Sequence, residues 1–346
     1  MQFNIFNRRP KETTETLFDE KFLRRLERLN FRTAPRLRGV MLGEQRSRNL
    51  RPALDFSDHR AYVSGDDLRH IDWHIYAHHE ELFIKLGESS QSVNVHILLD
   101  CSRSMAWQSN ASVFNSETDT DTPANLKRNR SKWNVARRLA GALAYLALSS
   151  GERVTITTFA DDLGASFGPS HGKRQMIAPL RFLTALNPAP AMSENDLNRE
   201  PGLARSLTNY ARRHSEGGLF ILISDLLDTV PSSLEPATEK NGPLADGLRH
   251  LNPPRWQVLV MHLLTTAEMQ PGLEGDFDFE DIETGQDLPF SVDKDTLAQY
   301  RLRVRRWCAA AESACARQGT TYSRILAEWP LEQKVIPYLR QRGVVR

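Results

Sequence analysis

Four short apolar runs constrain this chain more than anything else in it: VNVHILLD (93–100), RVTITTFA (153–160), GLFILISD (218–225) and WQVLVMHLL (256–264). Each is nearly continuous in its apolarity and rich in β-branched residues, the form of strands covered on both faces in a parallel sheet. Helical segments separate them. KWNVARRLAGALAYLALSSG sets Val135, Leu139, Leu143 and Leu146 on one face with Gly151 just past its end. GLARSLTNYARRHSEGG repeats the scheme more briefly, and DTLAQYRLRVRRWCAAAESACARQG is a long helix that closes on Gly319. Strand and helix in alternation define βαβ units with right-handed crossovers, so the sequence predicts a doubly wound, mostly parallel α/β domain over residues 91–346.

The text before it is different. Residues 1–90 read as a polar lead-in, an amphipathic helix (Phe18, Phe22, Leu26 and Leu29 at helical spacing) and a basic, turn-rich region ending in a strand, LFIKL. Within the larger domain, residues 106–131 are polar and aperiodic, and read as a flexible insertion. The net charge of +2 hides two poles: residues 21–51 hold ten basic and two acidic side chains, residues 266–295 ten acidic and one basic. Three cysteines, Cys101, Cys308 and Cys315, are too few for a disulfide frame. MQFNIFNRRPKETTE lacks the apolar core of a signal peptide, and LAGALAYLAL is too short to span a bilayer. The expectation is a cytoplasmic protein without a membrane span.

In open α/β sheets, ligands bind beyond the carboxyl ends of the strands where strand order reverses. Two of the apolar runs end in acids, Asp100 and Asp225. Ser102 and Ser104 follow the first, giving Asp-x-Ser-x-Ser: one carboxylate and two hydroxyls on one turn, hard oxygen donors suited to Mg²⁺, with Mn²⁺ or Ca²⁺ as alternatives. The same serines can simply cap the short helix that follows. A phosphatase of the haloacid-dehalogenase type needs an aspartate where Ser102 stands, and the chain has neither a Walker A loop nor a G-x-S-x-G elbow. A second cluster, RHIDWHIYAHHEEL, sets His70, His74 and His78 four residues apart. It lacks the glutamate register of a helical zinc site, and reads instead as polar surface over an apolar face.

DCSRSM after one buried strand and ISD after a later one resemble the metal-ion-dependent adhesion site of von Willebrand factor type A domains. FSDHRAYVSGDDLRHIDWHIYAHHEELFIKL, VHILLDCSRSM and FEDIETGQDLPFSVD extend the likeness, from about Gly43 to the C-terminus, to the bacterial family known as domain of unknown function 58. The resemblance implies a von Willebrand A-like fold, no demonstrated enzymatic activity, and association with MoxR-type AAA+ ATPases. It implies an adaptor or co-chaperone in which a metal offers its open position to an acidic residue of the partner. By the same resemblance Asp100, Ser102 and Ser104 form the first metal loop and Asp225 belongs to the third. The threonine usual in the second loop is missing from PAPAMSENDLNREPGLARSL, where Ser193 or Asn195 stands in.

The family's Y-x-x-G-D-D-x-R-x-I-D-W signature falls on Tyr62, Gly65, Asp66, Asp67, Arg69, Ile71, Asp72 and Trp73. Gly65 suits a tight turn and Asp67 a helix N-cap. Arg69 can bind Asp66 or Asp72, and Trp73 is expected to pack against the sheet domain. A salt-bridged structural turn is the favoured reading over a partner contact. Two other functions compete with the adaptor. One is anionic-surface or nucleic-acid binding through the arginines of residues 24–51, although such runs are more often solvated. The other is a metal-dependent hydrolase on Asp100 and Asp225, which needs a general base from His96 or His262.

Overall fold

Residues 218–224 are buried at every position, and successive side chains leave them in opposite directions, as the two-residue repeat of a strand requires. Leu219, Ile221 and Ile223 enter one apolar layer, Phe220 and Leu222 the other. The neighbouring strands do the same: Ile97 and Leu99 oppose Leu98, and Leu259 and Met261 oppose Val258 and Val260. Each of these buried apolar side chains contributes roughly 1.5–3 kcal/mol. A sheet oily on both faces needs a helical layer on each, and the chain supplies both.

The computed structural model describes residues 17–18, 20–27, 29, 56–64, 68, 71–79, 81–87, 92–106, 131–188, 202–229, 242–273, 275–280 and 287–344. In chain order the described elements are α1 (Glu20–Leu26), β1 (Phe56–Ala61), α2 (Trp73–His79), β2 (Phe83–Gly87), β3 (Asn94–Asp100), α3 (Arg103–Ala106), α4 (Lys132–Ser149), β4 (Arg153–Phe159), β5 (Leu163–His171) and α5 (Ala178–Ala185). They continue as α6 (Gly202–Arg213), β6 (Gly218–Ser224), α7 (Pro243–Leu248), β7 (Trp256–Leu264), α8 (Thr266–Met269), β8 (Gly275–Glu280), β9 (Asp287–Val292), α9 (Lys294–Arg317), β10 (Thr321–Leu326) and α10 (Ile336–Gln341). No helix among the described residues is long and apolar enough to cross a membrane.

The larger sheet has the order β10-β7-β6-β3-β4-β5. Its neighbours run parallel except for β4 and the edge strand β5, which are antiparallel. On one face α1, α4 and α5 contribute Phe22, Leu139, Leu143 and Leu183. On the other α6, α7 and α9 contribute Leu207, Tyr210, Leu248 and Trp307. This is the expected doubly wound, mostly parallel α/β arrangement. The expected helix ends hold, with Gly151 and Gly319 in left-handed backbone at φ 78° and 65°.

The unit boundaries differ from the sequence expectation. One compact unit is Arg38–Ser92, and the other joins Met1–Leu37 to Val93–Arg346. The reason lies in α1: Phe18, Phe22 and Leu26 are buried in the same apolar layer as α4, and the Tyr145 hydroxyl donates to Glu27 Oε1 at 2.7 Å. The amphipathic helix therefore belongs to the sheet unit rather than to the basic region after it. The expected insertion begins later than its first residue, because Ala106 ends α3, and Ser131 closes it as the N-cap of α4. Residues 107–130 lie outside the described residues, as does most of the arginine-rich run.

In the Arg38–Ser92 unit, β1 and β2 pair antiparallel and Ile71 bridges Ile84. Tyr62 N donates to Leu82 O at 2.8 Å, extending the pairing. Asp72 is buried and starts α2: its Oδ1 accepts from His74 N at 2.9 Å and Ile75 N at 3.4 Å, and its Oδ2 accepts from His59 Nε2 at 2.9 Å. The cap of α2 is thus Asp72. Trp73, expected to pack, is 60% exposed and meets Tyr76 edge-on at 6.1 Å. His74 and His78 are exposed, in keeping with polar surface. Gly65, Asp66, Asp67, Arg69 and His70 lie outside the described residues.

His96, on β3, is buried between α6 and the start of β6. Its Nε2 lies 3.3 Å from Gly217 O, which can only accept, so Nε2 carries the hydrogen and Nδ1 accepts from the Tyr210 hydroxyl at 3.0 Å. Burial, assisted by His214, lowers its pKa to about 4, against the opposite pull of Glu216 and Gly217 O.

The unfolded chain binds this proton near 6.5 and the folded one only near 4, so unfolding takes up a proton in that window. Stability fully present above pH 6.5 should fall as pH drops toward 4, His96 accounting for about 3 kcal/mol across the window. Urea unfolding at pH 7 and 4.5 checks it: His96→Asn should show the smaller difference. For α2, Asp72→Ala should lose about 1–2 kcal/mol, and Asp72→Asn, which keeps the capping oxygen, clearly less. Amide exchange over residues 73–79 reports whether that loss sits at the helix.

Candidate functional site

The order of the larger sheet reverses between β3 and β6, whose carboxyl ends bound a crevice in folds of this kind. Leu99 pairs with Ile223, so Asp100 and Ser224 stand level at the ends of adjacent strands. Ser224 Oγ donates to Asp100 Oδ2 at 2.5 Å and accepts from Leu226 N at 2.9 Å. The other oxygen, Asp100 Oδ1, accepts from Ser102 N at 2.9 Å, closing a tight turn. That turn brings the Ser102 and Ser104 hydroxyls to 3.0 Å from each other. The local motif read from the sequence is therefore assembled as one turn, on the short helix α3.

Asp225 is drawn in by different means. Leu226 has φ 56°, the one non-glycine residue with positive φ among those described. A leucine in this conformation is strained by roughly 1 kcal/mol or more. The turn it makes aims Leu227 N at Asp225 Oδ1, at 3.2 Å. The other oxygen, Oδ2, accepts from Lys132 Nζ at 2.7 Å, and the same ammonium donates to Glu268 Oε1 at 2.6 Å. Lys132 is wholly buried and Asp225 nearly so. Glu268 is held by its own capping box: its Oε2 accepts from Thr265 N at 2.7 Å, and its backbone N donates to Thr265 Oγ1 at 3.1 Å.

Burial and charge together set the proton affinities. Burial raises the Asp100 pKa to about 7, the charge of Asp225 adds to the rise, and the Ser224 and Ser102 bonds moderate it. Asp228, on the turn after Leu227, is raised by burial and by Asp225 and Asp161, even though its Oδ2 accepts from Leu203 N at the start of α6 at 3.3 Å. For Lys132, burial opposes the ammonium, but Asp225 and Glu268 outweigh it and hold the pKa above the ordinary lysine value. Two carboxylates from separate strand ends, Asp225 and Glu268, thus share one buried ammonium.

Of the residues singled out from the sequence, Asp100, Ser102, Ser104 and Asp225 come together at the reversal point. Ser193 and Asn195 lie outside the described residues, so the second loop is not seen. His96 lies in the first half of β3, away from the acids. His262 pairs with Ser224 at the right level, but its ring packs on Trp307 and Tyr322, with Nδ1 2.7 Å from the Tyr322 hydroxyl. Three partners went unread: Ser224, Lys132 and Glu268. Ser224 was readable as the neighbour of Asp225, since alternate residues at a strand end address adjacent positions. The two charged residues carry no such local signal. Among the described residues no group of three or more His, Cys, Asp and Glu side chains is arranged to hold a metal.

The uncharacterized proteins Rv1480 of Mycobacterium tuberculosis and Mb1516 of Mycobacterium bovis are each 23% identical over 276 residues, covering 80% of this chain and 75% of theirs. Among solved structures, an aerotolerance-related membrane protein from Bacteroides fragilis overlaps 73% of this chain and 98% of its own at 16% identity and a TM-score of 0.39. The conserved hypothetical protein BatB from Bacteroides thetaiotaomicron overlaps 73% and 99% at 17% identity and a TM-score of 0.37. The family described as Protein of unknown function DUF58 matches residues 58–310, a span running from the His59–Asp72 cap through the Asp100 turn and the Lys132–Asp225 pair, and the chain belongs to that family.

Proposed function

We propose that the chain is a non-enzymatic, cytoplasmic protein-interaction adaptor that engages an acidic residue of its partner through a divalent cation on the Asp100 turn. By the resemblance described above, that partner is a MoxR-type AAA+ ATPase. One observation carries the reading: the Ser102 and Ser104 hydroxyls stand 3.0 Å apart beside Asp100, at the reversal point of the sheet. Neighbouring ligands on an octahedral Mg²⁺ at about 2.1 Å are themselves about 3.0 Å apart, so the donor spacing fits. The charge fits too, since Asp100 is engaged by a hydroxyl and a backbone amide, and among the described residues no cationic side chain contacts it.

Asp100, Ser102 and Ser104 would hold the ion, which would supply a positive centre with open positions for an outside carboxylate. The residues of the chain provide the rest. Ser224 fixes one oxygen of Asp100 and Ser102 N the other, so the carboxylate is oriented before any ion or partner arrives. Such preorganisation lowers the ordering cost of association.

Titration with Mg²⁺ and with Mn²⁺, followed by thermal unfolding, tests the cation. At 100 times its dissociation constant, an ion should stabilise the native chain by about 2.7 kcal/mol, and Asp100→Ala should lose that gain. Identical responses from the two proteins would overturn the reading. Affinity capture from native cells tests the partner: an AAA+ ATPase should be retained by the native chain with Mg²⁺ and lost with Asp100→Ala or a chelator. Recovery of the ATPase regardless of ion and variant would remove this site from the interaction.

A further inference from the structure

Lys132 is the first residue of α4, directly after the N-cap Ser131. A positive side chain is unfavourable there, because the helix already presents its partial positive charge at that end. Burying an ammonium costs several kcal/mol more unless it is paired. Lys132 is nonetheless fully buried, and its Nζ reaches across to two carboxylates from separate strand ends, Asp225 after β6 and Glu268 after β7. A lysine meeting both penalties has a specific electrostatic place. It cancels charge that would otherwise face Asp100 from the next strand.

We infer that Lys132 is the resident cation of the strand-end site, a positioning residue that withholds the Asp225 carboxylate from direct contact with an ion on the Asp100 turn. Two hydrogen bonds set the geometry. Asp225 Oδ2 is committed to Lys132 at 2.7 Å, and Oδ1 is fixed by Leu227 N at 3.2 Å, aimed there by the left-handed backbone of Leu226. An ion on Asp100, Ser102 and Ser104 then has one direct carboxylate rather than two. It binds more weakly and keeps more net positive charge for an incoming acidic side chain. The site is thereby tuned for the partner at the expense of the ion. This inference rests on the Asp100 turn being a cation site.

The test compares Mn²⁺ binding by the native chain, Lys132→Met, and Lys132→Met with Glu268→Gln. Methionine keeps the length of the side chain without the charge. Glutamine at 268 keeps the capping box while removing the second stranded carboxylate, so the double variant carries the measurement where the single one unfolds. Free Mn²⁺ is followed by its paramagnetic resonance signal, and the ion-induced rise in the unfolding midpoint is recorded alongside. With Asp225 released, the double variant should bind Mn²⁺ about tenfold more tightly than the native chain, and show the larger midpoint rise. Adding Asp225→Asn should return the affinity to the native value. A lysine that only supports the fold would lower the midpoint at every Mn²⁺ concentration and leave the affinity unchanged. Equal or weaker Mn²⁺ binding by the folded double variant would overturn this inference while leaving the cation reading intact. If neither the native chain nor any variant binds Mn²⁺, both fall together.

Discussion

The charge balance at the top edge of the sheet depends on one ammonium, which pairs Asp225 and Glu268. Burial and the nearby Asp225 charge together raise the proton affinity of Asp100 and of Asp228. Without Lys132 the reversal point would carry buried, mutually repelling carboxylates. With it, Asp225 is paired and Asp100 faces a milder field. The position of α4 over the sheet is thus electrostatic as well as hydrophobic: its apolar residues settle into one oily layer while its first residue serves the charged rim.

The two halves of the site are built on different physics. The Asp100 turn is mainly local, its bonds to Ser102 and between Ser102 and Ser104 spanning two residues, while the Ser224 hydroxyl joins it from 124 residues away. The Asp225 side is long-range, since Lys132 and Asp225 are 93 residues apart and Lys132 and Glu268 are 136 apart. A site made of one local and one long-range half can differ between relatives by change in either, with the fold untouched.

That division also decides what was legible in the sequence. The strands β3, β4, β6 and β7 were readable because both faces of each are covered, which leaves an apolar run that few other structures produce. The edge strand β5 was not, because LGASFGPSH is mostly exposed and interrupted by glycine and proline, so no burial pattern marks it. The hairpin of β8 and β9 hid in the same way among acidic residues. Asp100, Ser102, Ser104 and Asp225 were found by their place at strand ends. Lys132 was not, since a lysine beside a tryptophan at a helix start looks like any solvated cation until the tertiary fold buries it.

The alternation of β6 between two oily layers has a consequence for how such a chain can diverge. Adding or removing a single residue within Gly218–Ser224 would exchange the side chains destined for opposite helical layers and, in the same stroke, rotate the following aspartate away from α4. The hydrophobic pattern therefore acts as a ruler for the acidic rim. Sequence length in this strand is locked by the charges beyond it as firmly as by the oil on either side, while the loops between the strands are free to grow.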